Sequence, residues 1–502
     1  MNNITFGTDG WRAVIGDDFT YESVRKVAAA AAEVFAQECD GEVADNRLMI
    51  GYDMRFEAGS FAAVVAEVLA EAGFEVLLSD QYIPTPGLCY CIAHDDKAIG
   101  GLMLTASHNP SPWLGIKVRM ADGGASPSGF TNRIEEVLEK SPAKDCPSAN
   151  TPLGRVRENG FAHSGCRGSL PPSQDSFPVK KVDLVERYLE GLRGSLALFA
   201  PSVAPEPQSL KVVIDPMYGA AQKYLAQIMR EQGVEVVEIH SEPNPSFGGL
   251  HPEPIPPWTD DAAKAVAENK AAAAFITDGD GDRIGAIDEN GIFVGPHKII
   301  ALLTQHLVED LGRAGRIIKT FALSNTIDRL GTRLKVPVNV RPIGFKWVYE
   351  EMLKGDVLVG GEESGGIGIP DHVRERDGLL MSLLLLQMMR MRNKTLGELV
   401  KDLEDTVGTL HYLRRDLKLD PKKADYFRTE LVHSSPAEMA GRSVRAIDRM
   451  DGMKLQFDND EWLLLRGSGT EPLIRIYAEA NTPEQLNAYL DAGSAYVQGE
   501  SA

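Results

Sequence analysis

Near the amino terminus the apolar positions change period in a regular way: a continuous run at 48–53, a helical spacing over 60–72 that stops at Gly73, and a second continuous run at 75–80. Short continuous runs read as strands buried on both faces and the spaced stretch as a helix, which predicts a βαβ unit. A third apolar run, 98–104, leads directly into a Ser-His-Asn-Pro turn, and a strand is expected at 115–120. Polar chemistry therefore stands at a strand end. The alternation returns as a helix over 182–192, then strands at 211–215 and 235–240 around a helix over 220–232, then a helix at 260–269 and a strand at 271–277. It returns again as a helix at 298–311, a strand at 316–322, a helix at 326–334 and strands near Val338 and Val357. The end of the chain differs: 453–457, a turn at 458–460 and 461–465 read as a hairpin, followed by a loop, a strand at 473–480 and a closing helix.

Between 141 and 178 the periodicity disappears and Pro, Ser and Gly accumulate, the composition of a connector or a surface insertion. The expected fold class is thus α/β, with three sequential α/β domains of similar topology and a C-terminal α+β domain around a central cleft. The expected boundaries are 1–150, 179–295, 296–410 and 411–502.

Composition narrows the functions open to such a chain. Its 502 residues carry 72 Asp and Glu against 52 Lys and Arg, a net charge of −20 that disfavours nucleic acid and anionic membrane surfaces as partners. The longest apolar stretch, 378–389, includes Ser382 and Gln387 and falls short of the roughly 20 residues that span a bilayer, so a buried helix is expected there. The amino terminus lacks a basic start followed by an apolar core. The five cysteines (Cys39, Cys89, Cys91, Cys146 and Cys166) are odd in number and without metal-ligand spacing, which points to a reducing compartment, the cytoplasm.

Several short segments carry candidate chemistry. Asp278-Gly279-Asp280-Gly281-Asp282-Arg283 follows an apolar strand and places carboxylates at alternate positions, able to converge as hard oxygen ligands on one Mg²⁺; the plain alternative is an acidic surface turn. Thr105-Ala106-Ser107-His108-Asn109-Pro110 presents a hydroxyl at a strand end, with Lys117 in the next strand as a cation or proton-transfer group. Ser107 and His108 are adjacent and so do not form a triad by themselves. Arg466-Gly467-Ser468-Gly469-Thr470-Glu471-Pro472, with Arg475 beyond it, is either a phosphate nest or an ordinary Gly-rich turn. No Gly-Lys-Ser/Thr of a Walker loop occurs. Gly360-Gly361-Glu362-Glu363-Ser364-Gly365-Gly366 suits hydrogen bonding to vicinal sugar hydroxyls. Gly344-Phe345-Lys346 and Thr8-Asp9-Gly10-Trp11-Arg12 each set a cation beside an aromatic, most simply a packed ring and a surface charge.

Together, in this order and with one in each inferred domain, the motifs resemble the α-D-phosphohexomutases, a family that includes phosphoglucomutases and phosphomannomutases. The resemblance makes Ser107 the phosphorylated serine with His108, Lys117 and Arg12 beside it, and Asp278, Asp280 and Asp282 the Mg²⁺ ligands completed by the serine phosphate. It makes Glu362 and Ser364 sugar contacts, Arg283 the arginine that closes the metal motif, and Arg466, Ser468, Gly469, Thr470 and Arg475 the grip on the non-reacting phosphate. The implied reaction exchanges glucose 1-phosphate and glucose 6-phosphate through a hexose 1,6-bisphosphate, with glucose 1,6-bisphosphate as activator and no net ATP. Phosphoryl transfer needs alignment and charge compensation, which these groups can supply. Lys117 is the candidate to take the proton of the attacking hydroxyl.

Two departures bear on the sugar. Many bacterial phosphomannomutase/phosphoglucomutase members carry His where this chain has Phe345 and end the sugar loop in Gly-His, where this chain has Gly365-Gly366. Gly-Phe-Lys is closer to the Gly-Trp-Lys of glucose-type enzymes and puts Lys346 forward as a substrate contact, while Glu362-Glu363-Ser364 differs from the Glu-Gln-Ser usual in phosphoglucosamine mutases. The expectation is a phosphoglucomutase. The alternatives are a phosphomannomutase or dual-specificity enzyme, a metal-dependent phosphatase, and a non-catalytic sugar-phosphate-binding paralogue. The oligomeric state is open.

Overall fold

The structure is a computed structural model that describes residues 4–7, 9–39, 46–140, 178–200, 210–468 and 472–499. Residues 141–177 of the expected connector, with Cys146 and Cys166, and two residues of the expected phosphate grip, Gly469 and Thr470, lie outside the described residues. The chain divides into two compact units, one running to Ala106 and then from Pro110 to Tyr188, the other comprising Ser107–Asn109 and the chain from Leu189 onward.

The first unit is built on one sheet, ordered Trp11–Val14, Trp113–Met120, Ala98–Leu104, Arg47–Tyr52, Glu75–Ser79 and Lys180–Val182. Leu48, Met49 and Ile50 are all fully buried, as the unbroken apolar run requires for a strand covered on both faces. Val24 and Phe35 of the helix Tyr21–Glu38 and Phe61 and Leu69 of Ala58–Glu71 pack with Leu48, Ile50 and Leu102 in one cluster, each such side chain contributing about 1.5–3 kcal/mol. Tyr21–Glu38 starts at a capping box: Thr20 Oγ1 accepts from the Ser23 N–H, and Ser23 Oγ from the Thr20 N–H. The strand Lys180–Val182 runs parallel to Glu75–Ser79, so the first unit holds residues that a boundary at 179 gives to the second.

Among the described residues the second unit contains three further large sheets, besides a two-stranded one formed by Glu438–Met439 and Arg442–Ser443. One is ordered Phe293–Val294, Ile284–Asp288, Ala273–Thr277, Lys211–Asp215, Glu235–Glu238; another Val338–Arg341, Arg316–Thr320, Val357–Gly361, Ile367–Gly368. The C-terminal sheet is antiparallel throughout, ordered His411–Lys418, Leu473–Ala480, Trp462–Gly467, Met453–Gln456, Ala446–Asp448.

Three of the four large sheets share one wiring. In each, one strand (Arg47–Tyr52, Lys211–Asp215 or Arg316–Thr320) lies between the next two in the chain, parallel to both, and the second of those two is followed by a loop and an antiparallel strand. Those loops are 105–112, 278–283 and 362–366, the segments in which the sequence places its chemistry.

Several elements depart from their predicted extents; the helix expected over 182–192, for one, runs over Leu184–Leu198. The helix expected over 220–232 is shortened to Tyr224–Glu231, because Met217, Tyr218 and Lys223 take positive φ values of 49, 58 and 68° and form a turn. The helix expected over 298–311 is α-helical over Pro296–Gln305 and then widens to a π-turn over His306–Asp310. The apolar run at 378–389 is the buried helix expected, Gly378–Arg392, capped by Asp377.

Candidate active site

The loop after Ala273–Thr277 draws its carboxylates inward because its backbone is held on several sides. Asp278 Oδ1 accepts from the N–H groups of Asp282 at 3.0 Å and Arg283 at 3.1 Å, folding the segment back on its first side chain. The Gly279 N–H donates to the Pro252 carbonyl, the Ala220 N–H to the Gly279 carbonyl, and the Gly378 N–H to the Gly281 carbonyl. Gly281 needs its glycine for a φ of 75°. Asp278, Asp280 and Asp282 are fully buried, and one oxygen from each lies within 4.8 Å of the others. A buried set of hard oxygens fits a hard divalent cation and offers nothing to a soft one.

Ser107 stands beside this triad in the same unit. Its Oγ donates to Asp278 Oδ2 at 3.1 Å, it is 1% exposed, and its backbone is left-handed at φ 53°. A Cβ on Gly279 would lie 2.5 Å from the Ser107 carbonyl oxygen, so the two loops touch through backbone. The His108 ring centroid lies 6.2 Å from that of His251.

Arg283 donates from Nη1 to Glu253 Oε1 at 3.0 Å, and its backbone bridges to Gly366, while the Ile284 N–H donates to the Gly365 carbonyl. The loops 278–283 and 362–366 are thereby joined. Glu362 is buried, and burial pushes its carboxyl up to about 7 against the pull of Arg376. Ser364 is half-buried on the same loop. Arg376, which the sequence reading missed, spans both loops: Nη2 is 2.7 Å from Asp282 Oδ2, Nη1 is 3.3 Å from Glu362 Oε2, and the guanidinium lies over the Phe345 ring at 5.3 Å. Earlier in the same segment, His372 hydrogen-bonds Ser195 Oγ through Nδ1 at 2.7 Å and Asp377 through Nε2 at 3.0 Å. Lys346 lies over its neighbour Trp347 at 4.7 Å.

In the C-terminal sheet Arg466 and Arg475 face each other on paired strands. Both are half-buried; Arg466 Nε donates to Asp451 Oδ1 at 2.8 Å. Ser468 is buried, its N–H donating to the Leu473 carbonyl and its own carbonyl accepting from Arg428.

The first unit holds Arg12 and Lys117. Gly10, at φ 98°, leaves no room for a Cβ, which would fall 2.3 Å from the Ile116 carbonyl oxygen. That close crossing puts Asp9 on two buried cations, Lys117 at 2.9 Å and Arg119 at 3.0 Å. Trp11 is packed on Phe19, and Arg12 is half-buried opposite Gly115. A second buried pair, Asp53 and Arg55, anchors both ends of the serine loop. Asp53 Oδ2 accepts from Thr105 Oγ1 at 2.6 Å, and Arg55 Nη1 donates to the carbonyls of Pro110 at 2.9 Å and Trp113 at 3.0 Å. The one sequence signal for that pair is a charged Asp-Met-Arg directly after a wholly apolar strand.

A serine hydroxyl presented to a buried carboxylate triad is suited to phosphoryl transfer, and the repeated units behind it match known models in order. Three models described as phosphoglucomutase/phosphomannomutase alpha/beta/alpha domains I, II and III match residues 3–145, 186–291 and 295–407, and the C-terminal domain model of the same series matches 434–493. The class is that of the phosphohexomutases, phosphotransferases of the isomerase class. This chain belongs to the α-D-phosphohexomutase family. It is 28% identical over 490 residues to a phosphoglucomutase/phosphomannomutase of Thermococcus kodakarensis, covering 97% of each chain. It is 30% identical over 505 residues to a phosphoglucosamine mutase of Streptococcus sanguinis, covering 99% of this chain and 98% of the relative. A crystal structure from Thermus thermophilus, provisionally assigned as a phosphomannomutase, superposes with a TM-score of 0.80 at 32% identity over 99% of both chains.

Proposed function

We propose that this phosphohexomutase is a Mg²⁺-dependent phosphoglucomutase that works through phosphorylated Ser107 and a hexose 1,6-bisphosphate. The observation that carries the reading is the Ser107 hydroxyl on Asp278, within a triad of converging buried carboxylates. Mg²⁺ held by Asp278, Asp280 and Asp282 would offset the charge that develops on the transferred phosphoryl group. In the first half-reaction the Oγ–P bond of Ser107 breaks as a sugar hydroxyl oxygen bonds to phosphorus. The bisphosphate then returns its other phosphate to Ser107 Oγ. By the resemblance, Arg12 and Lys117 act beside the serine, Lys117 from an ion pair with Asp9. Glu362, Ser364, Lys346 and Arg283 contact the sugar phosphate, and Arg466, Ser468 and Arg475, with Gly469 and Thr470, grip the non-reacting phosphate. The substrate partner is a hexose phosphate, with glucose 1,6-bisphosphate as activator.

The glucose reading draws support from Gly366, where a Cβ would fall 2.2 Å from Cδ of Arg376. A histidine at this position, as in the Gly-His loops of other members, would have to displace Arg376. The phosphoglucosamine mutase relatives favour a second reading, glucosamine phosphate as substrate. No helix among the described residues is long and apolar enough to cross a membrane, and the free thiols of Cys39, Cys89 and Cys91 are in keeping with a cytoplasmic location.

Purified protein with Mg²⁺ and a trace of glucose 1,6-bisphosphate should convert glucose 1-phosphate faster than the mannose and glucosamine 1-phosphates. Turnover of glucosamine 1-phosphate alone would replace the glucose assignment, and release of free phosphate without isomer exchange would make the protein a phosphatase. Intact-mass measurement should show one phosphate that Ser107→Ala removes along with turnover; an unphosphorylated, inactive wild type would leave only the binding paralogue.

A further inference from the structure

Asp451 lies in the turn between the strands Ala446–Asp448 and Met453–Gln456 and reaches two elements that substrate binding needs at once. Its Oδ1 accepts from Arg466 Nε at 2.8 Å, and its Oδ2 accepts from the backbone N–H of Ile343 at 2.9 Å. Ile343 directly precedes Gly344, whose φ of 125° turns the chain into the helix Phe345–Met352 with Lys346 in its first turn. One carboxylate thus joins the hairpin that carries Arg466 to the segment that presents Lys346.

The turn is built to bring that carboxylate close. Gly452, next in the chain, sits at φ 108°, and a Cβ there would lie 2.5 Å from the Leu465 carbonyl oxygen and 3.2 Å from Arg466 Cα. Only glycine lets the turn lie flat on the backbone of Arg466. Arg466 and Arg475 are directly opposed across the strands, an unfavourable like-charge pair unless an anion stands near. Asp451 supplies permanent negative charge on the Nε edge and so fixes the plane of the guanidinium, which a phosphate then meets already oriented.

We propose that Asp451 is a positioning residue: it orients Arg466 for the non-reacting phosphate. The proposal rests on the phosphoglucomutase reading above. Its test compares Asp451→Ala, Asp451→Asn, Arg466→Met and the double variant Asp451→Ala/Arg466→Met, by KM and kcat for glucose 1-phosphate and by competitive inhibition with inorganic phosphate. Arg466→Met should raise KM about thirtyfold and Asp451→Ala about tenfold, with kcat falling less than about threefold. The double variant should be no worse than Arg466→Met, because Asp451 acts through that arginine. Asp451→Asn keeps the volume of the side chain but not its charge, and should raise KM about threefold even if the alanine variant folds poorly. Inhibition by phosphate should weaken in step with KM. Multiplying effects in the double variant, or an unchanged KM in both Asp451 variants beside a raised KM in Arg466→Met, would overturn the role of Asp451. An unchanged KM in Arg466→Met would instead remove the phosphate-grip reading, and the proposal with it.

Discussion

The aspartate loop at 278–283 and the arginine hairpin at 466–475 both handle charge, yet they are held by different means. The aspartate loop is fixed by backbone: four peptide groups between Gly279 and Ile284 are bonded to Pro252, Ala220, Gly378 and Gly365, and its carboxylates are fully buried. The base of the hairpin is held by its strand ladder and by side chains laid on it, Asp451 on Arg466 and Arg428 on the Ser468 carbonyl, and its arginines are half-buried. Where charge must be met at the moment of reaction, dipoles set in advance cost no reorganisation. Where a ligand must enter and leave, contacts made by long side chains can yield.

The largest effect should come from breaking the rigid side of that contrast. Asp280→Asn should lower kcat about a thousandfold with the fold intact, measured by steady-state kinetics and circular dichroism. A pair of glycine substitutions tests the contrast itself. Gly279→Ala should cost about a hundredfold in kcat, because the new methyl meets the Ser107 carbonyl, whereas Gly467→Ala meets only the side chain of Arg428 and should stay within about threefold. Equal losses would mean that both loops are equally rigid. On the yielding side, Arg466→Lys should raise KM about tenfold by losing the planar fork, with a smaller change in kcat.

The smallest effect is a pH dependence of stability. The folded pKa of Glu362, raised by burial to about 7 from an ordinary 4.5, makes the neutral carboxyl the favoured form in the ligand-free protein. Its contribution to stability is fully present below about 4.5 and lost as pH rises through about 7. The Tm of the wild type should therefore drop a few degrees more between pH 5 and 8 than that of Glu362→Gln, by scanning calorimetry. Parallel Tm curves would assign the loop's electrostatics to another group.

The sheet strands and the aspartate motif were legible because their signals are contiguous. Ala98–Leu104, Lys211–Asp215 and Leu473–Ala480 have the predicted ends, and Asp278 to Asp282 spell out a converging set in five residues. Other elements lacked such a signal. His411–Lys418 is a strand whose charged residues hide the period, and Lys180–Val182 is a three-residue edge with two lysines. Arg376, Asp9 and Asp451 act on partners far away in sequence, and local spacing does not name those partners. Arg374-Glu375-Arg376-Asp377, abutting the wholly apolar start of a helix, did carry a clue, since charges in that place must be paired if buried.

The left-handed backbone of Ser107 bears on which amino acid can hold that position at all. Serine and threonine offer the same alcohol, and by reactivity either could carry a phosphate. A φ of 53° separates them, because a β-branched side chain is a conformational outlier there while serine is tolerated. The spelling of the proposed nucleophile is thus selected by the torsion of the main chain rather than by the bond it makes.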